Sequence, residues 1–255
     1  MTAEIPKAAL VTGASKRIGR AISAELARAG FAVALHHRAS AAEAETLAKE
    51  LRSMGAKAVT LTADLSDEAA VGSLVARAAD ALGPIGVLVN NASVFEYDSV
   101  ESTTRASWDQ HLEVNLRAPF VLTQELAARL PAQVGGVVIN LLDQRVWNLT
   151  PHFVSYTLSK AGLWTLTQTL ALALAPRVRV NAIGPGPTLP SARQSEEQFA
   201  TQVARLPLKR GATPDEIARA ARFIIEQPAM TGQMIALDGG QHLNWSPAGE
   251  SRPEE

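Results

Sequence analysis

Two side chains that could carry out acid–base chemistry together, Tyr156 and Lys160, lie four residues apart. They fall in a stretch, residues 154–175, whose leucines recur at helical spacing. At positions i and i+4 both side chains lie on one face of a helix. A nearby ammonium group lowers the pKa of a phenol, so such a pair could move a proton to or from an oxygen or nitrogen atom.

A second candidate site is the turn at residues 12–19, which joins a predicted strand to a predicted helix. Only Gly13 and Gly19 are glycines in this turn, so the usual Gly-x-Gly-x-x-Gly spacing is not met. Backbone N–H groups and the helix dipole at such a junction attract phosphate groups. Because the turn follows the first strand of an alternating pattern, we interpret it as a dinucleotide site. The alternative is a tight turn that needs glycine at positive φ.

The end of the second predicted strand favours NADP over NAD. An NAD site normally has an acidic residue there for the ribose 2′-hydroxyl. Here the strand ends in His36, His37 and Arg38, and no acidic residue appears until Glu43. The guanidinium groups of Arg38 and Arg17 could both bind a 2′-phosphate, although two solvated surface arginines would give the same sequence. We predict that the cofactor is NADPH.

Short, continuously apolar segments alternate with Ala- and Leu-rich segments along the chain. The predicted strands are residues 8–12, 31–35, 58–61, 87–89, 137–142, 178–181 and 234–237. The predicted helices are residues 18–29, 41–54, 67–82, 106–130, 154–175 and 214–226. Strands of this kind are covered on both faces, and the alternation predicts right-handed crossovers. We therefore predict an α/β fold, with a doubly wound parallel sheet and helices on both faces.

Neither an internal repeat nor a linker divides the sequence, so we predict one dinucleotide-binding and catalytic domain over residues 1–245. Residues 183–211 are rich in Pro and Gly, and a connection of that length is typical of a functional loop. A helix start is predicted at Thr213-Pro214, with the threonine as N-cap. Residues 246–255 are polar and are predicted to be a disordered tail.

The composition excludes several function classes. The 24 basic residues nearly balance the 25 acidic ones, so the charge indicates neither a nucleic-acid nor a membrane partner. Cysteine is absent, which excludes disulfides and thiolate chemistry, and the histidines lack metal-ligand spacing. No signal peptide and no apolar run of about 20 residues is present. We expect a cytoplasmic protein that acts on a small molecule and holds no metal.

In order and spacing, the motifs resemble those of the short-chain dehydrogenase/reductase family over nearly the whole chain. The matching motifs are Thr12-Gly13…Gly19, Asp64-Leu65, Asn90-Asn91-Ala92, Asn115, Tyr156…Lys160 and Pro185-Gly186. The resemblance implies a single Rossmann-type sheet of about seven strands and a homo-oligomer, either a tetramer or a dimer.

The resemblance also implies the role of each site residue. Tyr156 would donate the proton, and Lys160 would bind the nicotinamide ribose and, as in that family, lower the pKa of the tyrosine. Asn115 would hold a water molecule in a proton relay. The cofactor-binding residues would be Gly13, Ser15, Lys16, Arg17, Ile18, Gly19, His37, Arg38, Asp64, Leu65, Asn91, Ala92, Ser93, Tyr156, Lys160, Pro185, Gly186 and Thr188.

One departure from the family pattern concerns the substrate. Most members place a serine about thirteen residues before the tyrosine, whereas this chain has Asp143. Together with Arg17 and Phe95, that acid resembles the pteridine reductase branch. A carboxyl group could accept hydrogen bonds from pterin N–H groups or pass a proton to a ring nitrogen, and Phe95 could stack on the ring. The substrate-binding residues would be Arg17, Ser93, Phe95, Asp143 and Tyr156.

Simpler interpretations of these residues remain open. Asp143 could cap the following turn, and Phe95 could be a core aromatic. The leading functional prediction is NADPH-dependent reduction of a C=N or C=C bond in a pterin or dihydropterin. The alternatives are a carbonyl or 3-oxoacyl-thioester reductase, in which Asp143 replaces the serine, and a catalytically silent NADPH-binding protein.

Overall fold

A seven-stranded parallel sheet forms the centre of the protein. The computed structural model describes residues 4–191 and 193–243. The strands are β1 (Ala8–Val11), β2 (Ala32–His37), β3 (Ala58–Thr62), β4 (Val87–Asn90), β5 (Gly136–Leu141), β6 (Val178–Pro185) and β7 (Met234–Leu237). Their order is β3-β2-β1-β4-β5-β6-β7, and every adjacent pair is parallel. The predicted Rossmann-type, doubly wound α/β fold is confirmed.

Helices cover both faces of the sheet. They are α1 (Arg17–Arg28), α2 (Ala41–Ser53), α3 (Glu68–Leu82), α4 (Arg105–Leu112), α5 (Ala118–Arg129), α6 (Val154–Leu174), α7 (Glu196–Ala204) and α8 (Pro214–Glu226). Successive strand residues point to opposite faces. Val11 belongs to a core cluster with residues of α1, α2 and α8, whereas Leu10 belongs to a second cluster with residues of α3, α5 and α6. No helix in the described part of the chain is long and apolar enough to cross a membrane.

Two segments differ from the sequence prediction. The single helix predicted at residues 106–130 is instead α4, a π-helical turn at Glu113–Arg117 and α5. The segment 183–211 is not one irregular loop, because β6 runs to Pro185 and α7 lies within it. No residue of α7 is buried, and its only large apolar residues, Phe199 and Val203, give too short a pattern to identify a helix. The capping box of Ser195 with Gln198 was the sequence signal available for its start.

The reversal of strand order between β1 and β4 positions the site. Chain crossovers leave in opposite directions on the two sides of this point, so a crevice opens at the carboxyl ends of the strands. The glycine turn follows β1, and the other predicted site residues lie at or after the ends of β2 to β6. The predicted tail, residues 246–255, lies outside the described residues.

Candidate active site

Two adjoining clefts open at the carboxyl ends of the strands. The first, of about 280 Å³, is lined by Tyr156, Lys160 and Asp143, and we call it the catalytic cleft. The second, of about 460 Å³, is lined by the glycine turn and the end of β2, and we call it the nucleotide cleft. The residues that line both are Arg17, Ile18, Asn91 and Ser93. An elongated ligand could therefore extend from one cleft into the other.

All of the predicted cofactor-binding residues line one or both clefts. Those in the nucleotide cleft alone are Gly13, Ser15, Lys16, Gly19, His37, Arg38, Asp64, Leu65 and Ala92. Those in the catalytic cleft alone are Tyr156, Lys160, Pro185, Gly186 and Thr188. The predicted substrate contacts Phe95 and Asp143 also line the catalytic cleft, whereas Asn115 is buried behind it.

Close packing, as well as backbone conformation, requires the glycines of the turn. Gly13 has a φ of +61°, and a Cβ atom there would lie 3.0 Å from the Cα atom of Ala92. At Gly19 a Cβ atom would lie 2.2 Å from the carbonyl oxygen of Gly13, which is too close for any side chain. The amide of Asn91 donates hydrogen bonds to the carbonyls of Thr12 (2.7 Å) and Gly13 (3.1 Å). The turn is thus held in shape from β4.

His36 also supports the turn, a role that the sequence did not indicate. Its Nδ1 accepts a hydrogen bond from the N–H of Gly13 (3.2 Å), so its Nε2 carries the proton and donates to the carbonyl of Ala63 (3.1 Å). Burial lowers the pKa of His36 to about 4, partly opposed by the bond to Ala63. The imidazole is therefore neutral near pH 7, and it joins the glycine turn to the end of β3.

The basic residues near the nucleotide cleft have different partners. Lys16 forms an ion pair with Glu43 (2.7 Å), so part of its charge is balanced by α2. Arg17 donates to the carbonyls of Leu189 (3.1 Å) and Pro190 (2.8 Å), which ties the glycine turn to the segment after β6.

Arg38 and Asp64 line the nucleotide cleft at the ends of β2 and β3. Hydrogen bonds from the backbone and side chain of Ser66 lower the pKa of Asp64, and the charge of Arg38 contributes to the same shift. Unlike Arg17, Arg38 lines the nucleotide cleft alone. It is the better placed of the two guanidinium groups to meet a ribose phosphate.

The central feature of the catalytic cleft is a contact between a phenol and a carboxylate. The hydroxyl of Tyr156 donates a hydrogen bond to Oδ2 of Asp143 at 3.0 Å. The other oxygen, Oδ1, accepts from the backbone N–H of Arg145 at 2.8 Å and caps a short 3₁₀ turn, Gln144–Val146. The prediction that Asp143 caps the following turn is confirmed, and its part in binding substrate stays a prediction. One oxygen caps the turn, and the other lies beside the tyrosine.

Lys160 is buried beneath this pair. Its Nζ donates to the carbonyl of Leu141 at 2.8 Å and lies 5.8 Å from the centroid of the Tyr156 ring. Burial lowers the pKa of Lys160 to about 8, and the negative charge of Asp143 partly opposes that effect. Helical spacing thus places the ammonium group beside the Tyr156 ring, as predicted, and its effect on the pKa of the phenol stays a prediction.

Asn115 lies on the π-helical turn, and protein groups occupy its amide. Nδ2 donates to the carbonyl of Val94 (2.9 Å) and to Oγ of Ser159 (3.1 Å). Oδ1 accepts from the N–H of Val94 (2.8 Å) and from Oγ of Ser93 (3.2 Å). The side chain therefore joins the segment after β4 to α6. Its part in a water relay stays a prediction.

Aromatic rings form one wall of the catalytic cleft. Phe95, which is half-buried, stacks on Phe153 with centroids 4.6 Å apart and planes 12° apart. The Tyr156 ring meets Phe95 edge-on at 4.6 Å. The guanidinium of Arg193 lies 5.3 Å from the Phe95 centroid and donates to the Phe95 carbonyl (2.6 Å). Sequence reasoning missed Arg193 because it reaches Phe95 from a segment nearly one hundred residues further along the chain.

Within the described residues, no group of three or more His, Asp or Glu side chains could hold a metal ion. The catalytic cleft brings together a phenol, a buried ammonium, a carboxylate and an aromatic wall. These groups can bind a planar polar ring and give it a proton.

Comparisons with known proteins agree with this geometry. A family model described as enoyl-(acyl carrier protein) reductase matches residues 13–242. FolM alternative dihydrofolate reductase 1 from Brucella suis, solved with NADP, is 50% identical, with 97% of this chain and 98% of that chain covered and a TM-score of 0.92. The Brucella canis protein of the same name, also solved with NADP, is 49% identical, with 96% and 97% covered and a TM-score of 0.92.

A 3-oxoacyl-[acyl-carrier-protein] reductase, FabG, from Staphylococcus epidermidis is 31% identical over 93% of this chain and 99% of its own length. Both the family model and these relatives span nearly the whole described sheet and both clefts. The chain belongs to the short-chain dehydrogenase/reductase family.

Proposed function

We propose that the protein is an NADPH-dependent reductase that transfers hydride to a pterin or dihydropterin. Bound NADPH would supply the hydride, which adds to the carbon of a C=N bond. The ring nitrogen gains a proton, so the substrate takes up two electrons while NADPH is oxidised to NADP⁺. The two Brucella structures in complex with NADP support the choice of cofactor, as does Arg38 in the nucleotide cleft.

The observation that carries the proposal is the hydrogen bond from the Tyr156 hydroxyl to the Asp143 carboxylate. A serine in place of Asp143 would offer one hydroxyl to a ketone oxygen. A carboxylate offers acceptors to the N–H groups of a pterin, and with a pterin bound it would orient the phenol toward the ring nitrogen that must gain a proton. Lys160 beneath the phenol stabilises the phenolate that remains after transfer.

The aromatic wall supports the same substrate class. The ring of Phe95 lines the catalytic cleft, is backed by the fully buried ring of Phe153, and provides an apolar surface beside the Tyr156 ring. A pterin is planar and polar at its edges, so it can stack on this wall while its edge faces Asp143. The Brucella relatives are named alternative dihydrofolate reductase, and dihydrofolate belongs to the same class of substrate.

A second candidate is reduction of a 3-oxoacyl thioester. The Staphylococcus epidermidis relative bears that name, and Tyr156 and Lys160 would serve it equally well. Against it stands Asp143, whose carboxylate would face the partly negative carbonyl oxygen that such a reaction must stabilise.

Absorbance of NADPH distinguishes these functions. Wild-type protein is given 7,8-dihydrobiopterin and, separately, an acetoacetyl thioester, and each assay is repeated with Tyr156→Phe and Asp143→Ser. We expect turnover of the dihydropterin that falls at least about 100-fold in Tyr156→Phe. Asp143→Ser should lose pterin turnover and gain activity on the thioester. Turnover of the thioester alone by the wild type would contradict the proposal, as would tight NADPH binding without turnover of either.

We also propose that residues 1–245 act as one catalytic unit, and that the protein forms a cytoplasmic dimer or tetramer. Light scattering coupled to size exclusion measures the oligomeric state, and a monomer at micromolar concentration would contradict that part of the proposal.

A further inference from the structure

Three fully buried polar side chains meet behind the catalytic cleft. They are Asp98, on the segment after β4; His111, near the end of α4; and Ser155, directly before Tyr156. Each is at most 1% exposed, and none lines either cleft. Burying polar side chains in this way is costly unless their hydrogen bonds are satisfied by specific partners. Their contacts therefore indicate what they hold together.

Asp98 fixes the start of α6. Its carboxylate accepts hydrogen bonds from the hydroxyl and the backbone N–H (3.3 Å) of Ser155. Its backbone carbonyl accepts from the N–H of Phe153 at 2.7 Å. Phe153 adopts a φ of +58°, which is unusual for a side chain of this size, and Asp98 holds it there. A negative charge is also favourable at a helix N-terminus.

The contacts of His111 define its tautomer. Nε2 faces the backbone N–H of Glu96 at 3.1 Å, and because that group can only donate, Nε2 carries no proton. Nδ1 therefore carries the proton in the neutral ring and donates to Oγ of Ser155 (2.8 Å) and the carbonyl of Ser107 (2.9 Å). One nitrogen thus holds the segment next to Phe95, and the other holds the residue next to Tyr156.

We propose that Asp98, His111 and Ser155 are positioning residues that set the distance between the proton donor Tyr156 and the substrate wall at Phe95. The inference rests on the proposed role of Tyr156. The hydrogen bonds of the two ring nitrogens of His111, which we call its Nδ1 and Nε2 arms, act on different steps. The Nδ1 arm orients Tyr156 toward Asp143 and so affects proton transfer. The Nε2 arm holds the Phe95 segment and so affects substrate binding.

Two substitutions at one position separate these arms. His111→Gln places an amide near Nε2, which keeps an acceptor for Glu96 but loses the donor to Ser155. His111→Asn places its amide near Nδ1, which keeps that donor but loses the acceptor. We expect His111→Gln and Ser155→Ala to lower kcat about 10-fold or more with KM for the dihydropterin changed less than about 2-fold. We expect His111→Asn to raise that KM about 5-fold with kcat nearly unchanged.

The control for lost stability is Thr213→Ala, which removes the cap of α8, a helix in the layer on the opposite face of the sheet from α6. This variant should lower Tm while leaving kcat and KM unchanged. Affinity for NADPH, followed by fluorescence titration, should change little in any variant, because none of the three residues lines the nucleotide cleft that would hold the phosphates. The proposal is overturned if both His111 variants change kcat and KM in the same proportion, or if every kinetic loss follows Tm.

The structures of the two His111 variants test the proposal without any substrate. In His111→Gln the distance from Tyr156 Oη to Asp143 Oδ2 should exceed hydrogen-bonding range while Phe95 stays in place. In His111→Asn the Phe95 segment should move while the contact between Tyr156 and Asp143 remains. Unchanged positions in both variants would overturn the positioning role. If the wild type reduces only a thioester, the pterin proposal fails, while the split between kcat and KM remains measurable with that substrate.

Discussion

Replacing Lys160 with methionine should stabilise the protein while it abolishes activity. Burial lowers the pKa of this lysine from 10.5 to about 8. At about 1.36 kcal/mol per pKa unit, holding the buried ammonium costs roughly 3 kcal/mol at pH 7. Methionine removes that cost but leaves the carbonyl of Leu141 without its hydrogen bond, a loss of about 1–3 kcal/mol. We expect Lys160→Met to be more stable by about 1–2 kcal/mol at pH 7.

The sign of this difference should change with pH. Between pH 8 and pH 10.5 the unfolded chain holds a proton that the folded lysine has released, so the wild type gains stability as pH rises through this range. Near pH 10 most of the cost has disappeared and only the lost hydrogen bond remains, so Lys160→Met should then be the less stable protein. Urea unfolding of both proteins at pH 7 and pH 10 measures the change.

The matched control is Lys209→Met. Lys209 is exposed and also donates to a backbone carbonyl, that of Ala204 at 3.0 Å. Because it is not buried, its replacement should change stability by nearly the same small amount at both pH values. A stability difference for Lys160→Met that does not depend on pH, or a loss at pH 7, would refute the account of a charged, buried lysine.

Three further predictions concern the nucleotide cleft. Because the pKa of His36 in the folded protein is about 4, the free energy of unfolding should fall as pH drops below 6.5. Between pH 7 and pH 5, urea unfolding should show a loss of stability that is about 2 kcal/mol smaller for His36→Gln than for the wild type. Arg38→Ala should weaken NADPH about 10- to 100-fold and NADH about 3-fold or less in fluorescence titrations, and equal losses would contradict a phosphate contact. Gly19→Ala places a Cβ atom 2.2 Å from the Gly13 carbonyl oxygen, so it should weaken the binding of NADPH and lower Tm. The control Gly72→Ala, in open space on α3, should raise Tm.

The sheet could be predicted from the sequence because short apolar segments, clearest at β1, β4 and β5, alternate with longer helical ones. The burial of β1, β4 and β5 at every residue is the physical origin of that pattern. Tyr156 and Lys160 were predictable for a similar reason, because helical periodicity alone places them on one face. By contrast, α7 buries no residue, and Phe199 and Val203 alone are too short an apolar pattern to identify a helix.

The contacts that refine the site could not be predicted because they join distant parts of the chain. Arg17 donates to Pro190, which is 173 residues away, and Asp98 accepts from Ser155, which is 57 residues away. No local spacing encodes such pairs. His36 was visible at the end of its strand, yet its role in holding Gly13 depends on how β1, β2 and β3 lie side by side.

The most direct test of the central claim follows the hydride itself. NADPH carrying deuterium at the transferred position of the nicotinamide is mixed anaerobically with the protein and a dihydropterin, and the pterin product is analysed by mass spectrometry. The proposed reaction predicts a tetrahydropterin that carries one deuterium, formed by the wild type and not by Tyr156→Phe. Consumption of NADPH without deuterium in the pterin, or equal labelling by Tyr156→Phe, would contradict it.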